Sequence, residues 1–539
     1  EYLCGDVVRF ADACLERVSA LPPERQPSAR NLLHYLALRR HDLRDLQEQL
    51  ARLGLSSLGR AEANVEATLH AVLRNLYLLS GRPAPMDRDS PCKEFDELSP
   101  RLDQNATALL GDPPGHRRAR IMVTMPDSAA GDYMMLHRLV EGGMDCIRIN
   151  CAHGDTDDWA RMIRHMEDAE RVMKRSCRVL MDLRGPKMRT GRMETEAPVV
   201  KVRPRRNAYG EVLQPARVWL TTTQDKGNEC DSADACLLVS PEWLAQCAAG
   251  EKIRFRDARG SKRRWRIVET GASGCWAHAD KTAYVTADTR FGLKEKRTHC
   301  VAGGLPQRES VIHVRRGDVL LLDNSENPGR PALIAEDGTL LRPGRVSLPV
   351  NAVYRDARPG DRIGFDDGRI SGIVEKRSKQ QLQVRIEHTR KPTEKLASDK
   401  GVNLPDTPLA LPALSPEDLA GLPFVAAHAD MIGLSFTNTP DDVRELRRRL
   451  EDLGADKVGV VVKIETKRGF ANLPGILIEA LGFPACGVMI ARGDLAAECG
   501  FERMAELQEE ILWICESAHV PVVWATQVLE GLTLSLIHI

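Results

Sequence analysis

Val460-Val461-Val462-Lys463-Ile464-Glu465-Thr466-Lys467-Arg468-Gly469, followed after a helical spacer by Gly487-Val488-Met489-Ile490-Ala491-Arg492-Gly493-Asp494-Leu495, decides the fold. Both segments open on apolar, largely β-branched runs, and each run leads to a carboxylate, Glu465 in one and Asp494 in the other. Continuous apolar runs of this kind read as parallel strands buried on both faces. In a parallel barrel, polar residues at strand C-termini lie where active sites are built. Two carboxylates on neighbouring strand ends suit a shared hard divalent cation, leaving sites for substrate oxygens and water. Lys463 stands two residues before Glu465, so strand alternation turns both the same way. A lysine beside such a cation suits phosphoryl transfer, which is catalysed mainly by positioning and charge neutralisation.

Working outward, the chain has 539 residues, enough for several domains. Lys+Arg and Asp+Glu both number 76, so the formal net charge is zero and gives no global electrostatic case for nucleic acid or membrane binding. The fourteen cysteines show no C-x-x-C pair and no zinc spacing, which predicts free thiols in a reducing cytoplasm. No apolar run approaches the roughly 18 residues that cross a bilayer.

Residues 1–81 carry a helical pattern. Leu36, Leu43 and Leu50 interleave with Leu32, Leu46 and Leu53, and Ser28, after Pro27, is the expected N-cap. Val65, Leu69, Val72, Leu76 and Leu79 mark a further helix. This reads as an N-terminal helical domain, followed by a linker over 82–116 with one short helical piece. Residues 117–191 hold three strands, at 121–124, 145–150 and 178–182. Residues 192–400 change to short alternating runs broken by Gly, Pro, Asn and Asp, an inserted all-β domain. It contains an internal repeat, Gly250-Glu251-Lys252-Ile253-Arg254-Phe255-Arg256-Asp257 echoed by Gly360-Asp361-Arg362-Ile363-Gly364-Phe365-Asp366-Asp367, with Ile267-Val268-Glu269 echoed by Ile373-Val374-Glu375. Two tandem modules over 192–304 and 305–400 follow.

Strands resume over 401–533, at 429–435, 457–465, 487–492 and 521–526, separated by amphipathic segments, the first helix opened by Ser415 as N-cap. The expected fold class is α/β, a TIM (β/α)8 barrel with seven strands present. An eighth strand is expected beyond the end of the chain. The hexapeptide 534–539 is expected to be an artefactual tail.

Three segments in order, Val462-Lys463-Ile464-Glu465-Thr466, Ala491-Arg492-Gly493-Asp494-Leu495-Ala496 and Ala525-Thr526-Gln527-Val528-Leu529-Glu530, resemble those of the pyruvate kinase family. Arg148-Ile149-Asn150-Cys151-Ala152-His153-Gly154, Asp182 with Arg189, Phe365-Asp366-Asp367-Gly368 and Lys400-Gly401-Val402-Asn403-Leu404-Pro405 extend the resemblance. It does not cover residues 1–81. The insert corresponds to that family's lid domain but is longer, and its second module matches better.

The resemblance implies phosphoryl transfer from phosphoenolpyruvate to ADP, giving pyruvate and ATP in cytoplasmic glycolysis. Glu465 and Asp494 would hold Mg²⁺ or Mn²⁺. Lys463, Arg148 and Thr526 would be catalytic, with Arg148, Gly493, Asp494 and Thr526 binding substrate. Arg189 and Lys400 would approach the nucleotide. Many family members use K⁺ near the positions of Asn150 and Asp182. Here Ala152 and Leu183 replace two oxygen donors and Lys187 replaces a glutamate, so K⁺ is not expected to be required. No nucleic acid or membrane partner is expected, and the complete protein would be a homo-oligomer. A barrel lacking its eighth strand would expose sheet edges, so this chain by itself is expected to be inactive. The alternatives are another Mg²⁺-dependent TIM-barrel enzyme acting on a pyruvate-like acid, or a non-catalytic relative that binds.

Overall fold

The apolar runs that begin at Val460 and Gly487 are strands in a computed structural model, which describes residues 1–83, 95–223, 230, 232–271, 273–293 and 298–525. The chain divides into two units, one of Glu1–Arg189, Val350–Pro392 and Gly401–Ile539, the other of Thr190–Pro349 and Thr393–Lys400.

The first unit is built on seven strands: β1 (Met122–Thr124), β2 (Cys146–Asn150), β3 (Arg178–Asp182), β4 (Met431–Leu434), β5 (Gly459–Ile464), β6 (Cys486–Ala491) and β7 (Val522–Ala525). They pair in consecutive order, every pair parallel. All six residues of β5 and all six of β6 are buried, as the unbroken apolar runs require. Strand alternation sorts the side chains. Cys146, Leu180, Met431, Val461 and Met489 gather with Leu109 of the helix Arg101–Leu110 in one apolar cluster. Ile147, Ile149, Val460, Val462, Val488 and Ile490 face the larger cluster shared with the helices. Stepping two residues on from the first set reaches Arg148, Asp182, Gly433, Lys463 and Ala491. One sheet face is therefore apolar at the strand N-terminal ends and polar at the C-terminal ends.

The connecting helices start where side chains satisfy their free N–H groups. Ser415 with Asp418 and Thr439 with Asp442 form capping boxes ahead of Pro416–His428 and Pro440–Asp452. The expected cap at Ser28 is corrected. Pro27 lies within the first turn of Gln26–Leu38, where its missing N–H costs nothing, so the helix starts before Ser28. The leucine periodicity from Leu32 to Leu53 is divided between two helices, Gln26–Leu38 and Arg44–Arg52.

The N-terminal helices group with the parallel sheet. His519 Nδ1 lies 2.9 Å from Ser28 Oγ and its Nε2 lies 2.8 Å from the Ala63 carbonyl. Asn31 Nδ2 donates to the Ser517 carbonyl at 2.8 Å. Burial holds His519 below the ordinary histidine value, and burial also lowers His34 against the opposing pull of Glu66. Below about pH 6.5 the unfolded chain takes up protons that the folded chain refuses, so this stability is present above that pH and lost on acidification. Denaturant unfolding of this unit is expected to lose about 1 kcal/mol per pH unit per histidine below that point. His519→Gln should flatten the slope; an unchanged slope would show that His519 does not titrate on unfolding.

The second unit centres on a seven-stranded sheet in the order His299–Val301, Arg290–Leu293, Lys252–Arg256, Lys262–Thr270, Gly274–Ala279, Ala216–Thr221, Ala235–Leu238. All neighbours are antiparallel except the last pair. Its core packs Trp243, Phe255, Trp265 and Phe291. The expectation of fourteen free thiols is corrected here: Cys230 is bonded to Cys236, with Cα atoms 5.4 Å apart. Their separation of six residues is neither of the spacings considered, and the turn into Ala235–Leu238 brings the sulfurs together.

The two repeated segments form equivalent hairpins. Gly250 N–H donates to the Ile267 carbonyl and Ile267 N–H to the Glu251 carbonyl, while Gly360 N–H donates to Val374 and Val374 N–H to Asp361. Ile267 therefore corresponds to Val374, one residue on from the alignment read in the sequence. The first hairpin lies in the second unit, and the second groups with the parallel sheet, since the units divide at Val350. Among the described residues no helix is long and apolar enough to cross a membrane.

Candidate active site

Arg148, Lys187, Lys463, Glu465, Gly493 and Asp494 line one cavity of about 670 Å³ at the C-terminal ends of the strands. Its centre is a buried charge cluster. Lys463 Nζ donates to Asp182 Oδ2 at 3.1 Å and to Ser435 Oγ at 2.9 Å, and lies 3.1 Å from Glu465 Oε1. Arg148 grips the same Asp182 oxygen through Nε at 3.0 Å and through Nη2, while its Nη1 donates to Thr124 Oγ1 at 2.9 Å. One carboxylate, 1% exposed, thus serves two cations.

Burial pulls the Lys463 ammonium down, but Glu465 and Asp182 together outweigh it and hold its pKa above the ordinary lysine value. Burial pushes Glu465 up, reinforced by the nearby Asp494 and Asp182 and opposed by Lys463. The Phe436 N–H, on a residue with φ of +53°, donates to the other Glu465 oxygen.

Lys187 Nζ bonds Asp494 Oδ1 at 2.7 Å and lies 4.0 Å from Asp367 Oδ1. Asp182, by contrast, is paired with Arg148 and Lys463. Asn150 Oδ1 accepts from the Ala152 N–H at 3.2 Å, a local turn. Gly493 lies in the first turn of Arg492–Cys499, and a Cβ there would meet nothing within 4 Å, so a ligand has access to the backbone. Arg189 is bridged to Gly401 and is not among the residues lining the cavity. Lys400 falls in the second unit, where its N–H donates to Thr190 Oγ1 at 2.9 Å. Thr526 lies outside the described residues; Ala525, before it, lines the cavity.

Three features escaped the sequence reading. Asp182 is the hub of the cluster, Ser435 is an acceptor for Lys463, and Arg369, His388 and Arg390 also line the cavity. One signal was available. A Cβ at Gly433 would overlap Asp182 Oδ1, so the glycine in β4 marks where that carboxylate lies.

The donor set suits a hard divalent ion. Two carboxylates on one cavity match the way Mg²⁺ is commonly held, by one or two carboxylates with substrate oxygens and water completing the shell. Among the described residues no group of three or more His, Cys, Asp or Glu forms an all-protein cage.

A consecutive parallel sheet with this charge cluster at its strand C-termini defines an α/β protein whose candidate site lies at one end of the sheet. The family description "Pyruvate kinase, barrel domain" matches residues 116–261 and 279–536, and the chain belongs to the pyruvate kinase family. It is 38% identical over 179 residues to a pyruvate kinase of Debaryomyces hansenii, covering 32% of this chain and 33% of that one. It is 31% identical over 189 residues to one of Clostridium acetobutylicum (35% and 38%). Over 276 residues it is 31% identical to one of Hypocrea jecorina (45% and 48%). The chain thus spans a third to a half of the length of these relatives.

Proposed function

We propose that the cavity transfers the phosphoryl group of phosphoenolpyruvate to ADP. The observation that carries this reading is the Lys463 ammonium, held between Asp182 and Glu465 and facing the same cavity as Arg148, Asp494 and Gly493. The bond from phosphorus to the enol oxygen breaks, a bond to the terminal ADP oxygen forms, and the enolate gains a proton at its methylene carbon.

Lys463 neutralises the phosphoryl as it passes between oxygens, and Arg148 holds it with a fork already oriented by Asp182 and Thr124. The open backbone at Gly493 receives the substrate carboxylate at the helix start. Glu465 and Asp494 would hold Mg²⁺ or Mn²⁺, which would supply charge neutralisation for the transfer. Thr526 is assigned to the protonation step, and Arg189 to the nucleotide. The strands close as a TIM barrel, and the complete protein works in the cytoplasm as a homo-oligomer.

A coupled assay with phosphoenolpyruvate and ADP tests the reading directly. ATP formation that is dependent on Mg²⁺ and lost in Glu465→Gln supports it. Metal-dependent aldol cleavage of a pyruvate-like acid, without ATP formation, would replace it.

The full-length enzyme is also proposed to work without K⁺. Lys187 already places a positive charge on Asp494, where the potassium-dependent pattern has a glutamate. Turnover in potassium-free buffer is expected to match turnover with K⁺ added, and Lys187→Glu should abolish it by setting a carboxylate against Asp494. Strong activation of the unmodified chain by K⁺ would refute this.

A further inference from the structure

The sheet of the second unit carries a charge pattern that the phosphoryl site does not use. Along Lys252–Arg256 the residues alternate, with Lys252, Arg254 and Arg256 exposed and Ile253 and Phe255 buried. Along the next strand Lys262, Arg264 and Arg266 are exposed while Trp265 and Ile267 are buried. The register sets these cations directly opposite one another: Lys252 to Arg266, Arg254 to Arg264, Arg256 to Lys262. One row continues, with Arg266 opposite His278 and His278 opposite Arg217.

Like charges placed directly opposite across a ladder destabilise a sheet, and a solvated face without a ligand is normally built from mixed signs. Among the described residues no ion pair relieves Lys252, Arg254, Lys262, Arg264 or Arg266, whereas Arg263 is held by Asp257 at 3.1 Å. The cations stand about 7 Å apart along each strand and about 5 Å apart across strands, a lattice of regularly repeating positive charge.

We propose that this face binds the phosphate backbone of a single-stranded nucleic acid. Part of this face, with Arg254, Arg256, Lys262 and Arg264, lines a groove of about 930 Å³. Of its lining cations Arg254, Arg256, Arg264 and Arg290 are arginines, whose planar forks match phosphate oxygens, beside Lys262 and Lys281. The acidic residues facing the groove are Asp280 and Asp288. The adjoining hairpin of Arg205–Arg206 and Val212–Gln214 carries Tyr209, 91% exposed, as a ring on which a base can stack. That hairpin is tied to the groove by Arg206 Nη2, which donates to the Asp280 carbonyl at 2.8 Å. A phosphodiester strand supplies both the repeating charge and the bases; an acidic peptide supplies only the first. The chain's zero net charge conceals this face because the compensating carboxylates lie elsewhere.

The test is fluorescence anisotropy of the full chain with a labelled oligouridylate of about 20 nucleotides at 50 and 200 mM salt. With about five phosphates contacted, affinity is expected to fall roughly 100-fold between the two salt concentrations. The double variant Arg254→Gln with Arg264→Gln should bind at least about tenfold more weakly at 50 mM and show a shallower salt slope. Its thermal midpoint should be unchanged or higher, because a like-charge pair has been removed. Arg444→Gln with Arg448→Gln, on the helix Pro440–Asp452, should leave binding intact. Absence of binding at 50 mM would overturn the proposal, as would equal loss in both double variants. So would equal affinity for polyglutamate, or capture by phosphatidylserine vesicles without oligonucleotide binding.

Discussion

Lys463→Met is expected to lower phosphoenolpyruvate-dependent ATP formation by about 10³-fold, the upper range for removing one preorganised charge-stabilising donor from a water-poor site. The residue is 7% exposed and holds three partners, Asp182, Ser435 and Glu465. Methionine keeps the length and the apolar stem but leaves Asp182 and Glu465 facing each other without the cation. The loss should therefore appear in kcat more than in KM, because the ammonium interacts most strongly with charge that develops during transfer. Folding is separated from chemistry by measuring the thermal midpoint of the same variant and by Lys463→Arg, which restores charge but not shape. More than a tenth of the original turnover in a stably folded Lys463→Met would remove Lys463 from the reaction path.

The second large effect is expected at a residue that touches no substrate. Gly433→Ala introduces a Cβ into space now filled by Asp182 Oδ1. Overpacking alone costs about 1–3 kcal/mol. If the carboxylate is driven off Arg148 and Lys463, the loss rises to about 3–5 kcal/mol, as for breaking a buried ion pair. Activity and denaturant stability should fall together. The nearby Gly421→Ala provides a control, since a Cβ there meets only the Trp159 ring at 3.5 Å, an ordinary contact. Equal stability of Gly433→Ala and the unmodified chain would show that the Asp182 hub can move without penalty.

Much of this architecture was legible in the residues because it depends on local pattern. Unbroken apolar runs such as Val460–Val462 suit only strands covered on both faces, and their polar ends fall at the strand C-termini by alternation alone. Ser415 before Pro416 announces a helix start, since a side-chain oxygen there meets an N–H that the helix leaves free. The carboxylates Glu465 and Asp494 and the cation Lys463 were readable for the same reason, and Arg148 through the family resemblance.

What the sequence could not supply were pairings between distant residues. Lys187 meets Asp494 across 307 positions, and Lys463 meets Asp182 across 281. Asp182 became the hub only once β2, β3, β4 and β5 were set in order in one sheet. The bond between Cys230 and Cys236 depended on a turn that spacing rules do not encode. The basic lattice was hidden in a chain with equal numbers of positive and negative residues, because net charge sums over all positions while a binding face depends on register. Composition and periodicity determined which elements form and which way their side chains point. Only the packed structure determined which charges share a neighbour, because electrostatic energy falls with distance in space and takes no account of separation along the chain.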